Sequence, residues 1–207
     1  ICPKYVVGSF SGERTISASN HHQGLTFESL EELEVYLQKL PEYSAWGIDN
    51  AKSVQSLWEE IQLGESTINQ EGQRLVRVVV AEIRRQIGGD KILMELEQTL
   101  ADGRKRIRPQ RPMAEKIIGD ETPHRALLRG LGEELSMDEG DYSILTPEPQ
   151  VSRATRMSGS YPGVMSLYER HIYQILAPNL PVDDFTIVEP DGLRSATWGW
   201  RETVPGE

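Results

Sequence analysis

With 207 residues, of which 38% are hydrophobic and 26% charged, the chain has the length and composition to fold around a real core and to bury roughly 70% of its unfolded surface. Its net charge of −10 argues against general nucleic-acid or anionic-membrane binding, although a local basic patch can still grip phosphate. The lone Cys2 allows no internal disulfide, and no apolar run is long enough for a transmembrane helix. The expectation is therefore an intracellular, cytoplasmic protein without a membrane segment.

Residues 1–26 are mixed and Gly/Ser-rich. The first residues lack a signal peptide's apolar core, and because the chain opens at Ile1 rather than Met, removal of an upstream part is an expectation. Adjacent His21 and His22 point different ways on a regular backbone and read as loop residues without a metal site. A helix is predicted over 27–40, with Leu30, Leu33 and Leu37 as its stripe and Pro41 as its stop. A second is predicted over 51–63, carrying Val54, Leu57, Trp58 and Ile61 and closed by Gly64. Together they suggest a small helical extension over 1–70, ahead of a main domain over 71–207.

From Gln73 the pattern changes to strands. The Val78-Val79-Val80 run within 75–83 is apolar on both faces, as in a central strand, whereas Ile92, Met94 and Leu96 alternate with Glu95 and Glu97. Gly88, Gly89 and Asp90 read as a hairpin turn and Asp102-Gly103 as a second. The run RKRIRPQR then places Arg104, Arg106, Arg108 and Arg111 in an otherwise acidic chain, a pattern suited either to a solvated hairpin or to bidentate contact with phosphate. A short strand is predicted over 113–118.

The stretch EKIIGDETPHRALLRGLGEELSM, 115–137, reads as a strand, a loop and a helix. Thr122 and Pro123 supply the N-cap and first-turn proline, and Leu128, Leu131 and Leu135 form the predicted buried stripe, leaving Glu133 and Glu134 at the solvent edge. Glu121, seven intervening residues, Arg129, Leu131, Glu133, Glu134 and Met137 stand in the register of the Nudix box, G-x5-E-x7-R-E-U-x-E-E-x-G-U with U apolar, which the segment resembles. Three positions depart from that pattern. Glu115 and Ser136 stand where it has glycines, and Gly130 stands where it has the glutamate after the arginine.

After the helix, strands are predicted over 142–146, 151–157, 167–176 and 185–189, and around Trp198-Gly199-Trp200, with a loop over 158–163 and a turn at 190–192. The two tryptophans fall on one strand face, where they pack as core or stack on a flat ligand.

The resemblance implies an α/β (α+β) fold, a Nudix-like mixed β-sheet sandwiched by helices with the N-terminal helices outside it. It also implies Mg²⁺- or Mn²⁺-dependent cleavage of a diphosphate linkage, with Glu133 and Glu134 as metal ligands, Glu121 orienting the loop and Arg129 fixing the glutamates. Arg104, Arg106, Arg108 and Arg111 would meet the diphosphate of a small-molecule ligand, and a homodimer is compatible with the family. The base is open: the box draws it from the position of Gly130 or from a later loop, where Glu169, Glu189 and Glu202 are the available carboxylates. Small residues at 130 and 132 suggest that the helix admits a close neighbour or ligand, since each glycine costs about 1 kcal/mol against alanine. The competing expectation is a catalytically degenerate module that binds a ligand or partner without hydrolysis. Restoring glutamate at 130 is expected to rebuild the three-carboxylate face.

Overall fold

A computed structural model of the chain describes residues 24–188, 192 and 194–202, with the side chains of 108–110 not among them. The expectations for Cys2, the His21-His22 pair, Glu189 and the Arg108 side chain concern residues or side chains outside this set.

Three α-helices are described: α1 (Leu30–Leu37), α2 (Val54–Gln62) and α3 (Pro123–Leu135). Each starts on a hydroxyl cap. Ser29 Oγ accepts from the Glu32 amide at 3.2 Å, Ser53 Oγ from the Ser56 amide at 3.2 Å, and Thr122 Oγ1 from the Arg125 amide at 3.3 Å. These caps hold the preceding backbone extended, so α1 and α2 begin later than the hydrophobic pattern alone predicts.

The strands are β1 (Thr67–Ile68), β2 (Arg74–Arg84), β3 (Lys91–Thr99), β4 (Lys105–Arg111), β5 (Met113–Lys116), β6 (Ser143–Ile144), β7 (Gln150–Met157), β8 (Met165–Leu176), β9 (Phe185–Val188) and β10 (Ser195–Glu202). The chain is thus a mixed α and β structure, but its strands divide between two sheets. In the first, β2 pairs in parallel with β8 along its whole length, and antiparallel with β1 and β5; β6 and β7 pair with β8. The second has the order β4-β3-β10-β9. Asp102-Gly103 closes the expected hairpin, between β3 and β4. Gly88-Gly89-Asp90 does not: β2 and β3 belong to different sheets, so this turn carries the chain around a corner.

The main core lies where α3 packs on the first sheet and the second sheet closes over one end. Val79, Ala81 and Ile83 of β2 meet Leu127, Leu131 and Leu135 of α3, Tyr173 and Ile175 of β8, and Leu93 and Trp198 from the second sheet. Trp198 is therefore core, while Trp200 is only half-buried. Leu127 rather than Leu128 belongs to the buried helix stripe; Leu128 is half-buried. A smaller core joins Phe27, Leu33, Leu37 and Leu57 of the N-terminal segment to Ile68, Tyr161 and Val164. Beneath it, buried Glu60 of α2 pairs with Arg74 of β2, with Lys52 at 2.7 Å and with Lys116 of β5 at 3.2 Å. Burial pushes the Glu60 carboxyl up, but the hydrogen bond from Lys52 and the charge of Arg74 outweigh it and hold the group at about 2. No helix among the described residues is long and apolar enough to cross a membrane.

Candidate functional site

The loop between β5 and α3 is fixed by three hydrogen bonds to two neighbours, Arg77 and Gly64. The Ile117 amide donates to Arg77 O of β2 at 3.0 Å, the Gly119 amide donates to Gly64 O at the end of α2 at 3.0 Å, and the Arg77 guanidinium donates to Gly119 O. Gly119 sits at φ +50°. Across the loop, the Glu121 amide donates to Ile118 O at 2.9 Å and Glu121 Oε2 accepts from the Ile118 amide at 3.2 Å. Past α3 the chain turns through Ser136 in the left-handed region, φ 51° and ψ 38°, the position where the box pattern has a glycine.

Arg129 is the centre of this segment. Its Nε and Nη2 donate to the two oxygens of Glu121 at 3.2 and 2.9 Å. Nη1 donates to Glu115 at 3.0 Å and to Glu133 at 3.4 Å, and Nη2 donates to Lys116 O at 2.7 Å. All five N–H donors of the guanidinium are therefore engaged within the protein. The bidentate hydrogen bonds from Arg129 hold the Glu121 carboxyl below its ordinary range, and the same partner raises Arg129.

Of the two carboxylates expected to hold a divalent ion, Glu133 reaches the Arg129 guanidinium, at 3.4 Å. Glu133 stays exposed at 56% of its side chain, Glu134 is half-buried, and among the described residues no three His, Cys, Asp or Glu groups converge to hold a metal ion. Hard oxygen donors are present in kind, and Glu133 and Glu134 are the pair that would hold a Mg²⁺ or Mn²⁺ ion, without a third such group from the protein among the described residues. Position 130 explains part of this. Gly130 is buried, and a Cβ built there lies 2.9 Å from Glu115 Cβ and 3.2 Å from Met113 Sδ. The expected restoration of a third carboxylate by Gly130→Glu is thereby corrected: that place is already filled from β5. A close neighbour does explain this glycine, as the sequence suggests, whereas a Cβ at Gly132 meets nothing.

The basic run lies along the β3–β4 hairpin of the second sheet. Arg104 pairs with Asp102 at 2.6 Å and Arg111 with buried Glu95 at 2.7 Å, while Arg106 is exposed. Of the later carboxylates, Glu202 lies opposite Lys91 at the end of the β3–β10 pair. Glu169 stands opposite Arg77 in the parallel β2–β8 register, on the strand face that carries Tyr173 and Ile175 toward α3. It is tied to Arg153 at 2.6 Å and to His171 at 3.0 Å; burial raises its carboxyl, but hydrogen bonds from Arg153 and His171 leave it lowered overall.

An open cleft of about 570 Å³ lies at the N-terminus of α3, lined by Thr122, Pro123, His124, Glu148, His171 and Tyr173. The His124 and Tyr173 rings meet edge to face at 6.4 Å. His124 falls at an unspecified position of the box pattern and His171 outside it, so strand register is the only signal that finds His171, and nothing in the sequence pairs it with His124. Arg77 and Gly64, which pin the loop, are likewise invisible in a linear motif. No family model matches the chain, and no curated protein matches it.

Proposed function

We propose that this chain is a Nudix-like module that binds a small diphosphate-bearing ligand without hydrolysing it. The strand, loop and helix arrangement, the Glu121–Arg129 tie and the left-handed turn at Ser136 support a Nudix-like origin for the segment. One observation carries the non-hydrolytic part: Arg129 spends every donor on Glu115, Glu121, Glu133 and a carbonyl, next to a glycine at the third corner. Such a hub orders the loop and leaves no free donor on the guanidinium. The ligand reading rests on the adjacent cleft. There the N-terminal dipole of α3 and the ring N–H groups of His124 and His171 suit an anionic group, beside one carboxylate, Glu148.

A second reading, metal-dependent hydrolysis, is favoured by charge. Three carboxylates surround one guanidinium, and this excess is one that a divalent cation offsets. Titration calorimetry against a panel of nucleoside and sugar diphosphates, followed by chromatography of the same samples after incubation with Mg²⁺, separates the two. The expected outcome is a panel member that binds, loses affinity about tenfold or more in His124→Ala, and is recovered intact. Release of phosphate or mononucleotide that disappears in Glu134→Gln would replace this reading with the hydrolytic one.

A further inference from the structure

The closest approach of α3 to β5 leaves room for one side chain. A Cβ at 130 would overlap Glu115 Cβ at 2.9 Å, closer than such atoms come in proteins. The other atoms it would meet, Met113 Sδ and Cε at 3.2 Å, are the far end of a flexible side chain and can move aside. Glu115 Cβ cannot, because β5 is held in the sheet by its pairing with β2, where Glu115 lies opposite Val79. Either position 115 or position 130 carries a side chain, and the other is glycine. The box pattern has glycine on the strand side and glutamate on the helix side; this chain has the reverse.

We infer that Glu115 and Gly130 are a reciprocal exchange, in which the carboxylate of the box is delivered from strand β5 instead of helix α3 and is held there by Arg129. Glu115 Oε1 accepts from Arg129 Nη1 at 3.0 Å and from the Lys116 amide at 3.0 Å. Entering from the strand, it approaches the guanidinium rather than the outer helix face on which Glu133 and Glu134 follow one turn later. Glu115 is in this sense a positioning residue: it completes the shell around Arg129 and keeps the loop closed. The inference rests on the Nudix-like reading of the segment, and its steric half is independent of that reading.

The test is a four-protein cycle of wild type, Glu115→Gly, Gly130→Glu and the double variant. It is read by thermal unfolding and by the loss of the free Mn²⁺ signal in electron paramagnetic resonance. Gly130→Ala in both backgrounds serves if Gly130→Glu does not fold. Glutamate at 130 is expected to lower the melting temperature by several degrees in the wild-type background and by less than half as much in the Glu115→Gly background. The double variant alone is expected to capture Mn²⁺, and to lose that capture when Glu134→Gln is added. Equal penalties at position 130 in the two backgrounds would overturn the exchange. Reduced penalty without Mn²⁺ capture by the double variant would uphold the steric pairing and overturn the Nudix-like reading beneath it.

Discussion

Gly130 and Gly132 stand two residues apart on one helix and answer to different forces. At 132 a Cβ meets nothing within 4 Å, so alanine there restricts the unfolded chain and adds helix propensity without a clash. Gly132→Ala is expected to raise stability by about 0.5–1 kcal/mol in urea unfolding, and a loss would show a contact this packing does not contain. Ser136 offers a second gain. It holds φ 51° without being glycine, so Ser136→Gly is expected to add roughly 0.5–1 kcal/mol by the same measurement. The resemblance to the box set Arg129 beside Glu121 and Glu133 and marked Ser136 as a glycine position. It did not reveal Glu115 as the occupant of the space over Gly130, because a motif records order along the chain and not what faces a helix from the neighbouring strand. The choice of Leu127 over Leu128 has the same origin: both fit a helical stripe, and the tilt of α3 on the sheet decides between them.

At the level of elements, α2 is fastened to the first sheet by a buried charge. Glu60 gathers Lys52, Arg74 and Lys116 from three separate parts of the chain, and Arg74 also lies over the Tyr161 ring at 5.1 Å. Removing one partner of such a pair strands the others, so Glu60→Ala is expected to lower stability by about 3–5 kcal/mol. The carboxyl titrates at about 2 when folded, below its ordinary range when unfolded. Its contribution is therefore complete above the unfolded value near 4.5 and is lost as pH falls from there toward 2. Urea midpoints at about pH 6 and about pH 3, on either side of that unfolded value, check this. Wild type is expected to lose more between them than Glu60→Gln, and equal losses would remove Glu60 from the acid response. Both helices were legible from their apolar stripes and stops. This clamp was not, since the Glu59-Glu60 pair in an amphipathic helix reads as a solvated face. The corner at Gly88-Gly89 was misread for a related reason: a glycine turn specifies a reversal, while strand pairing is decided by what lies beside each strand.

Over the whole molecule, strand positions followed closely from periodicity and turn residues, and the mixed α and β class followed with them. The division into two sheets did not, because alternation along β3 and β10 fixes a buried face without saying which sheet it joins. The same limit applies to the site, where the basic run joins the second sheet and its described pairs, Arg104–Asp102, Lys105–Glu97 and Arg111–Glu95, stay within the β3–β4 hairpin. What unifies the molecule around 115–137 is a loop held by β2, α2 and Arg129 beside an open cleft, an arrangement suited to presenting a rigid surface. The central claim is that Glu115, Glu121 and Glu133 are committed to Arg129 and not to a cation. Titrating Mn²⁺ into the wild-type protein and following the free-ion signal by electron paramagnetic resonance tests it most directly. A free-ion signal matching that of buffer, unchanged in Glu133→Gln, is the predicted result. Stoichiometric capture of Mn²⁺ by wild type that disappears in Glu133→Gln would contradict it.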